Sequence, residues 1–163
     1  MTPHGTTRNG MAQHATNGPD MNEYVTQVRP RWSDMDVFGH INHARTVTLL
    51  EEARVPLLFD DATAKGLGDF AKGTVVVRLG VDYKRPIVVD GQPLRVGITM
   101  TQLRTASFTL AYRVHTGPSE QDPVAVTAWT LLAPYDTGAA RPRRLNEEER
   151  AFLLAHIPEV SGA

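Results

Sequence analysis

The stretch Trp32-Ser33-Asp34-Met35-Asp36-Val37-Phe38-Gly39-His40-Ile41-Asn42-His43-Ala44-Arg45-Thr46-Val47-Thr48-Leu49-Leu50-Glu51-Glu52-Ala53-Arg54 decides how this chain is read. Two acids, Asp34 and Asp36, precede a Gly-His turn, and Asn42 stands where a helix cap belongs. From His43 onward the apolar spacing is helical. Val47, Leu50, Ala53 and Leu57 share one stripe, with Thr46 inside it and Arg54 at its edge. The spacing predicts a helix over 43–58, kinked or ended near Val55, because Pro56 has no N–H for the Glu52 carbonyl. A helix start carries unpaired N–H groups, here around Asn42, His43 and Ala44, which can receive a carbonyl oxygen as it becomes anionic. With a carboxylate alongside, this is chemistry suited to hydrolysing an ester or thioester.

Outward from that segment the period changes to two. Upstream, Tyr24, Val28 and Trp32 against Gln27, Arg29 and Arg31 predict a half-buried strand over 24–32. Downstream, a Gly-rich loop (Gly66, Gly68, Gly73) leads to Val75, Val77, Leu79, Val81 and Tyr83 on one parity. The turn Asp90-Gly91 precedes Leu94, Val96, Ile98 and Met100. A tight turn near Arg104 to Ala106 precedes Phe108, Leu110, Tyr112 and Val114. Residues 124–133 are apolar on both parities, which predicts a central strand. Asn146 and Glu149 form a capping-box start to a short helix that stops before Pro158. Short links favour antiparallel neighbours, and the helix stripe needs a sheet to cover it. The expected class is α+β, a curved antiparallel sheet of about five strands wrapped around one long helix, with a short C-terminal helix.

Bulk properties narrow the function. With 17 Lys and Arg against 18 Asp and Glu the net charge is −1, and the basic residues are dispersed, so a nucleic-acid footprint is missing. The absence of cysteine excludes disulfides, a thiolate nucleophile and cysteine zinc sites, and is compatible with a cytoplasmic location. No apolar run approaches the roughly 20 residues of a membrane helix, so no membrane insertion is expected. Residues 1–22 contain no apolar h-region and read as a disordered leader, followed by a single domain over 23–158. Met11 or Met21 could equally be the natural start. Gly66-x-Gly68-x-x-Ala71 precedes a strand where a dinucleotide fingerprint would follow one. The serine-hydrolase motif G-x-S-x-G does not occur.

The segment from Asp34 to Arg54 resembles the signature of the hotdog-fold thioesterases of the 4-hydroxybenzoyl-CoA thioesterase type. That signature runs D-x-D-x-x-G-H-V-N-N-x-x-Y, then a helix carrying E-x-A-R. Asp34, Asp36, Gly39, His40, Asn42, Glu51, Ala53 and Arg54 match it, and Ile41 replaces Val. The runs Asp82-Tyr83-Lys84-Arg85-Pro86 and Arg104-Thr105-Ala106-Ser107-Phe108 resemble family sequence less specifically. The resemblance implies a hotdog fold and an acyl-CoA thioesterase releasing free acid and CoA without a cofactor. It also implies a homodimer or homotetramer with the active site between protomers. Three positions depart from the pattern. Phe38 stands where the related plant acyl-carrier-protein thioesterases carry Asn, Thr46 where the family has an aromatic, and His43 where it has a second Asn.

Each site residue has a plainer reading beside its functional one. Asp36 alone would be a turn-capping aspartate; the resemblance makes it the catalytic carboxylate. Asp34 orients the turn. Glu51 is a solvated acid pairing with Arg54 at i+3, or, as in some family members, the catalytic acid of the helix. It lies about 12 Å along the helix axis from His43, so it would meet the carbonyl served by Asp36 only across a dimer interface. Asn42 caps the helix, orients Asp36, or does both. His40 is a turn-packing residue or a polar member of the catalytic pocket. His40 and His43 straddle the turn without the i, i+4 spacing of a metal pair, so no metal is expected. Thr46 is expected to shape the acyl pocket. Arg85, Arg104 and Ser107 are the expected substrate contacts, with Arg141, Arg143 and Arg144 as further phosphate candidates; otherwise these are solvated polar groups. Two rivals remain: a hotdog-fold enoyl-thioester hydratase or dehydratase, and a non-enzymatic acyl-CoA-binding module.

Overall fold

The computed structural model describes residues 19, 20 and 22–160. Most of the expected leader therefore lies outside the described residues. Its last part, β1 (Pro19–Asp20), pairs with Tyr24 and Glu23 at the start of β2 (Glu23–Val28). The expected strand over 24–32 stops at Val28, and Trp32–Asp34 turn as a 3₁₀ helix.

Helix α1 (His43–Val55) begins as its sequence dictates: Asn42 is extended, and its side chain accepts from the Ala44 N–H at 2.9 Å. Its buried residues are Thr46, Leu49, Leu50 and Ala53, so Leu49 takes the inward place expected of Val47, which is only half-buried. At Pro56 the α-helical ladder breaks as expected, but the chain does not turn away. It continues as a π-helical stretch, Pro56–Asp61, and one more turn, α2 (Ala62–Ala64). The wider turn accommodates the missing N–H and leaves both Leu57 and Leu58 buried.

The region expected to be a Gly-rich loop contains helix α3 (Gly68–Lys72), pinned by Phe70. The Phe70 ring packs against Phe108 and Phe152 with centroids 5.9 and 6.4 Å away. These rings join α3, the sheet and α4 (Glu147–His156), whose capping box of Asn146 and Glu149 is the one read from sequence.

The sheet is built from β3 (Thr74–Tyr83), β4 (Leu94–Leu103), β5 (Phe108–His115), β6 (Val124–Asp136) and β7 (Arg141–Pro142), together with β1 and β2. Its order is β1-β2-β4-β5-β6-β3, all antiparallel, with β7 paired to β6. Five long strands thus curl around α1, which is the hotdog architecture. The inward residues of β4, β5 and β6 (Val96, Ile98, Met100, Leu110, Tyr112, Leu132) form one core with Leu49, Leu50 and Ala53 of α1. Each such aliphatic side chain contributes roughly 1.5–3 kcal/mol by leaving water.

Two expectations fail at β3. Its neighbour is β6 and not β4, so the short link over 84–93 crosses the molecule where a hairpin was expected. Most of its side chains are exposed on both faces, including Val75, Val76, Val77 and Leu79, although their alternation predicted one buried face. Among the described residues β3 ends the sheet, with one neighbour and one open edge.

Candidate active site

Asp36 opens a tight turn closed by its own backbone: its N–H donates to the His40 carbonyl at 2.8 Å and its carbonyl accepts from Gly39 N–H at 3.1 Å. Gly39 has φ +77°, which a side chain would resist. That conformation lets the Phe38 and His40 N–H groups converge on Asp36 Oδ1, at 2.9 and 3.3 Å. The turn-capping role of Asp36 is therefore present, but it occupies one oxygen only. Oδ2 accepts no hydrogen bond from the described residues.

Beneath the turn, buried Asp34 accepts from the Arg31 backbone N–H at 2.7 Å, and its own carbonyl accepts the Asn42 N–H at 2.8 Å. The Arg31 guanidinium bridges Asp34 and Glu52 of α1, at 3.3 and 2.9 Å. Asp34 thus ties the turn to the helix, the orienting role expected of it. The share of Arg31 and Glu52 was not legible, because the pair spans two elements.

These bonds alter the reading of the helix start. Of the three N–H groups expected to receive a carbonyl oxygen, that of Asn42 is held by Asp34 and that of Ala44 by the Asn42 side chain. The His43 N–H has no acceptor among the described residues. It sits at the positive end of α1, and the His43 carbonyl accepts from the Tyr83 hydroxyl at 2.7 Å. Tyr83, missed as a site residue, lies in the sequence run already marked as family-like. Partial desolvation raises its hydroxyl pKa above the ordinary tyrosine value.

The crossing link completes the site. Ile41 N–H donates to the Ile87 carbonyl at 2.9 Å and His40 bridges to Val88, which lays residues 84–88 beside the turn. The result is a cleft of about 420 Å³ lined by Asp36, His40, His43, Thr46, Tyr83, Lys84 and Arg85, among others. Two cations and a helix N-terminus thus share it with one carboxylate. The arrangement can hold an anionic substrate, polarise a carbonyl and present a basic oxygen to it.

Other expected residues lie elsewhere. Glu51 is exposed and lines a separate cavity of about 240 Å³ with Leu50, Arg54 and Thr130. No ion pair joins it to Arg54. Arg104 and Ser107 close the β4–β5 turn, Arg104 N–H donating to the Ser107 carbonyl at 2.8 Å, and neither lines the cleft within this chain. Arg143 is bound by both oxygens of Glu149, at 2.9 and 2.6 Å. Among the described residues no three His, Asp or Glu side chains gather as a metal site, and no helix is long and apolar enough to cross a membrane.

Known proteins resemble this chain in sequence and fold. Long-chain acyl-CoA thioesterase FadM of Escherichia coli (strain K12) is 30% identical over 96 residues, covering 59% of this chain and 72% of FadM. A Thermus thermophilus thioesterase solved with coenzyme A and Zn superposes with a TM-score of 0.65 at 28% identity, over 81% of this chain and 92% of that one. The probable thioesterase YbaW of Escherichia coli superposes at 0.64 with 26% identity, over 82% and 97%. The model of the thioesterase-like superfamily matches residues 30–159. The fold is shared with these solved thioesterases, and the chain belongs to the thioesterase-like superfamily.

Proposed function

We propose that the protein hydrolyses acyl-CoA thioesters to free acid and CoA, with Asp36 as its catalytic carboxylate. The observation that carries this reading is the half-engaged state of Asp36. Oδ1 is fixed by two N–H groups while Oδ2 accepts no hydrogen bond from the described residues, and Asp36 lines the cleft together with His43. The thioester carbonyl oxygen accepts from the His43 N–H. Oδ2 then either takes a proton from the attacking water or attacks the carbonyl carbon itself. In the first course the hydroxide adds, the C–S bond breaks and CoA leaves as a thiol. In the second an acyl-aspartate anhydride forms with loss of the thiolate, and water then cleaves it. Lys84 and Arg85 receive the CoA phosphates, His40 lends polarity beside the carbonyl, and Thr46 borders the acyl entrance.

The CoA thioester is supported by the named substrate of FadM and by the coenzyme A in the Thermus thermophilus structure. We place the enzyme in the cytoplasm and assign it no cofactor. The open edge of β3, with Val77, Leu79 and Tyr83 exposed, supports a homodimer in which a second protomer covers this strand beside the cleft, or a tetramer of such dimers. In that assembly the partner's surface would decide whether Arg104 or Glu51 approaches a neighbouring site.

Thiol release from a panel of acyl-CoAs, measured for the wild type and Asp36→Asn, tests the proposal. Release by the wild type and its loss in the variant are expected; no release from any acyl-CoA overturns it. A specific arrangement keeps one rival in view, since His40 and Asp36 share the cleft and could move protons on an enoyl group. Loss of 2-enoyl-CoA absorbance without thiol release would select that hydratase.

A further inference from the structure

The His43 N–H sits between two peptide groups, and both are pinned. Before it, the Asn42 carbonyl accepts the Thr46 N–H at 3.1 Å, with the Thr46 hydroxyl 3.4 Å away. After it, the His43 carbonyl accepts the Tyr83 hydroxyl at 2.7 Å. The N–H of that second peptide group belongs to Ala44 and donates to the Asn42 side chain at 2.9 Å. Tyr83, the His43–Ala44 peptide and the Asn42 cap thus form one chain of hydrogen bonds, in which each bond polarises the next.

The Tyr83 bond adds little that α1 needs in order to form. As the first carbonyl of α1, that of His43 already serves the helical ladder through the N–H four residues on, so the hydroxyl takes its second lone pair. The ring is about half-exposed, and a phenylalanine would keep its contacts. What the hydroxyl supplies is a tie between elements far apart in sequence. Tyr83 ends β3, and just beyond it the Lys84 and Arg85 N–H groups both donate to the Ala125 carbonyl of β6, at 2.8 and 3.2 Å. The hydroxyl therefore reaches the helix start from a strand end that is itself anchored to the sheet. The His43 N–H takes its direction from φ at His43, and so from how firmly the peptide group after His43 is held.

We infer that Tyr83 is a positioning residue for hydrolysis, its hydroxyl holding the His43–Ala44 peptide so that the His43 N–H stays aimed at the thioester oxygen as that oxygen gains charge. The inference rests on the proposed hydrolase reading and adds to it the side chain that keeps the oxyanion donor in place. Tyr83 does not touch the reacting atoms; it acts through the backbone.

Tyr83→Phe removes the bond and keeps the ring. In steady-state kinetics on the full chain its kcat is expected to fall about tenfold, with KM within about twofold of wild type. A second readout needs no turnover. An acyl-CoA analogue with a methylene in place of sulfur keeps the carbonyl and cannot be hydrolysed. With that carbonyl isotope-labelled, its infrared stretch in the complex should lie higher in Tyr83→Phe than in wild type, because the aligned N–H is lost. A purely structural tyrosine would leave the stretch unmoved. Where Tyr83→Phe fails to fold, a fluorinated tyrosine at position 83, ionising within the assay range, keeps the ring and the oxygen. Once ionised it cannot donate, so kcat should fall as pH rises through that ionisation, a fall the unmodified chain does not show. A Tyr83→Phe kcat within about twofold of wild type, a loss confined to KM, an unmoved carbonyl stretch, or no fall on ionisation overturns the inference. Each of these leaves wild-type thiol release and its loss in Asp36→Asn standing. Absence of release by the wild type overturns the hydrolase reading instead, and the carbonyl stretch still decides whether Tyr83 aims the N–H.

Discussion

Asp36 and Glu51 are two carboxylates on one short stretch of chain, and their surroundings differ sharply. Asp36 is held: two N–H groups converge on one oxygen, and the turn is stapled to α1 through Asp34, Arg31 and Glu52. Glu51 is exposed, with no ion pair and no hydrogen bond among the described residues, on the rim of a mostly apolar cavity. The difference teaches what a helix start supplies and a helix side does not. A carboxylate beside unpaired N–H groups is fixed before substrate arrives, whereas one on an exposed helical face must be ordered during reaction.

The largest expected effect tests the held acid. Asp36→Asn keeps an oxygen for the Phe38 and His40 N–H groups but removes the charge, so turnover should fall at least about 10²-fold while melting temperature holds. Steady-state kinetics giving more than about a tenth of wild-type turnover would end the contrast in favour of Glu51. Thr46→Tyr comes next. Thr46 is buried and borders the cleft that holds Asp36. An aromatic there should shift preference toward shorter acyl groups, with overpacking of roughly 1–3 kcal/mol; an unchanged chain-length profile in a folded variant would remove position 46 from the acyl path.

Gly39→Ala sharpens the comparison by loosening the hold on Asp36 without touching its charge. Nothing blocks a Cβ at Gly39, so the penalty is conformational, about 1–2 kcal/mol for its positive φ. Thermal unfolding should report that loss, and kcat should fall with little change in KM. Stability and kcat both at wild-type level would mean the turn does not position the acid. Smallest of all, Glu51→Gln should change turnover of acyl-CoAs by less than about tenfold; a larger fall would make the helix acid the catalyst.

Local chemistry explains what could be read in advance. Asn42 caps α1, Pro56 ends its α-helical ladder and Asn146 closes a box with Glu149, each a matter of a few neighbouring residues. Asp90-Gly91 turns with Gly91 at φ +84°. Alternation announced β3 and β4 equally, yet β4 is flanked on both sides and β3 on one, because alternation describes a strand and not its neighbours. Of the candidate site, the Asp36 turn and Thr46 were legible because they belong to one segment. The Tyr83 hydroxyl on the His43 carbonyl, Arg31 on Glu52 and the separation of Arg104 from the cleft depend on pairings between distant parts of the chain. The same holds for α3, whose five residues carry too little periodicity to announce themselves and which owes its place to Phe70.

The link over 84–93 also has a consequence in time. The β4–β5 pair closes through a short connection and can form before β6 is made, whereas β3, although made before β4, must wait for β6, the last long strand to be made. Tyr83, Lys84 and Arg85 reach the helix start only when that late pairing is complete. A chain emerging from its N-terminus therefore carries Asp36 for most of its synthesis without a working site around it. In a refolding experiment the return of hydrolysis should trail the return of helical and hairpin signal, so that activity reports the closing event of assembly.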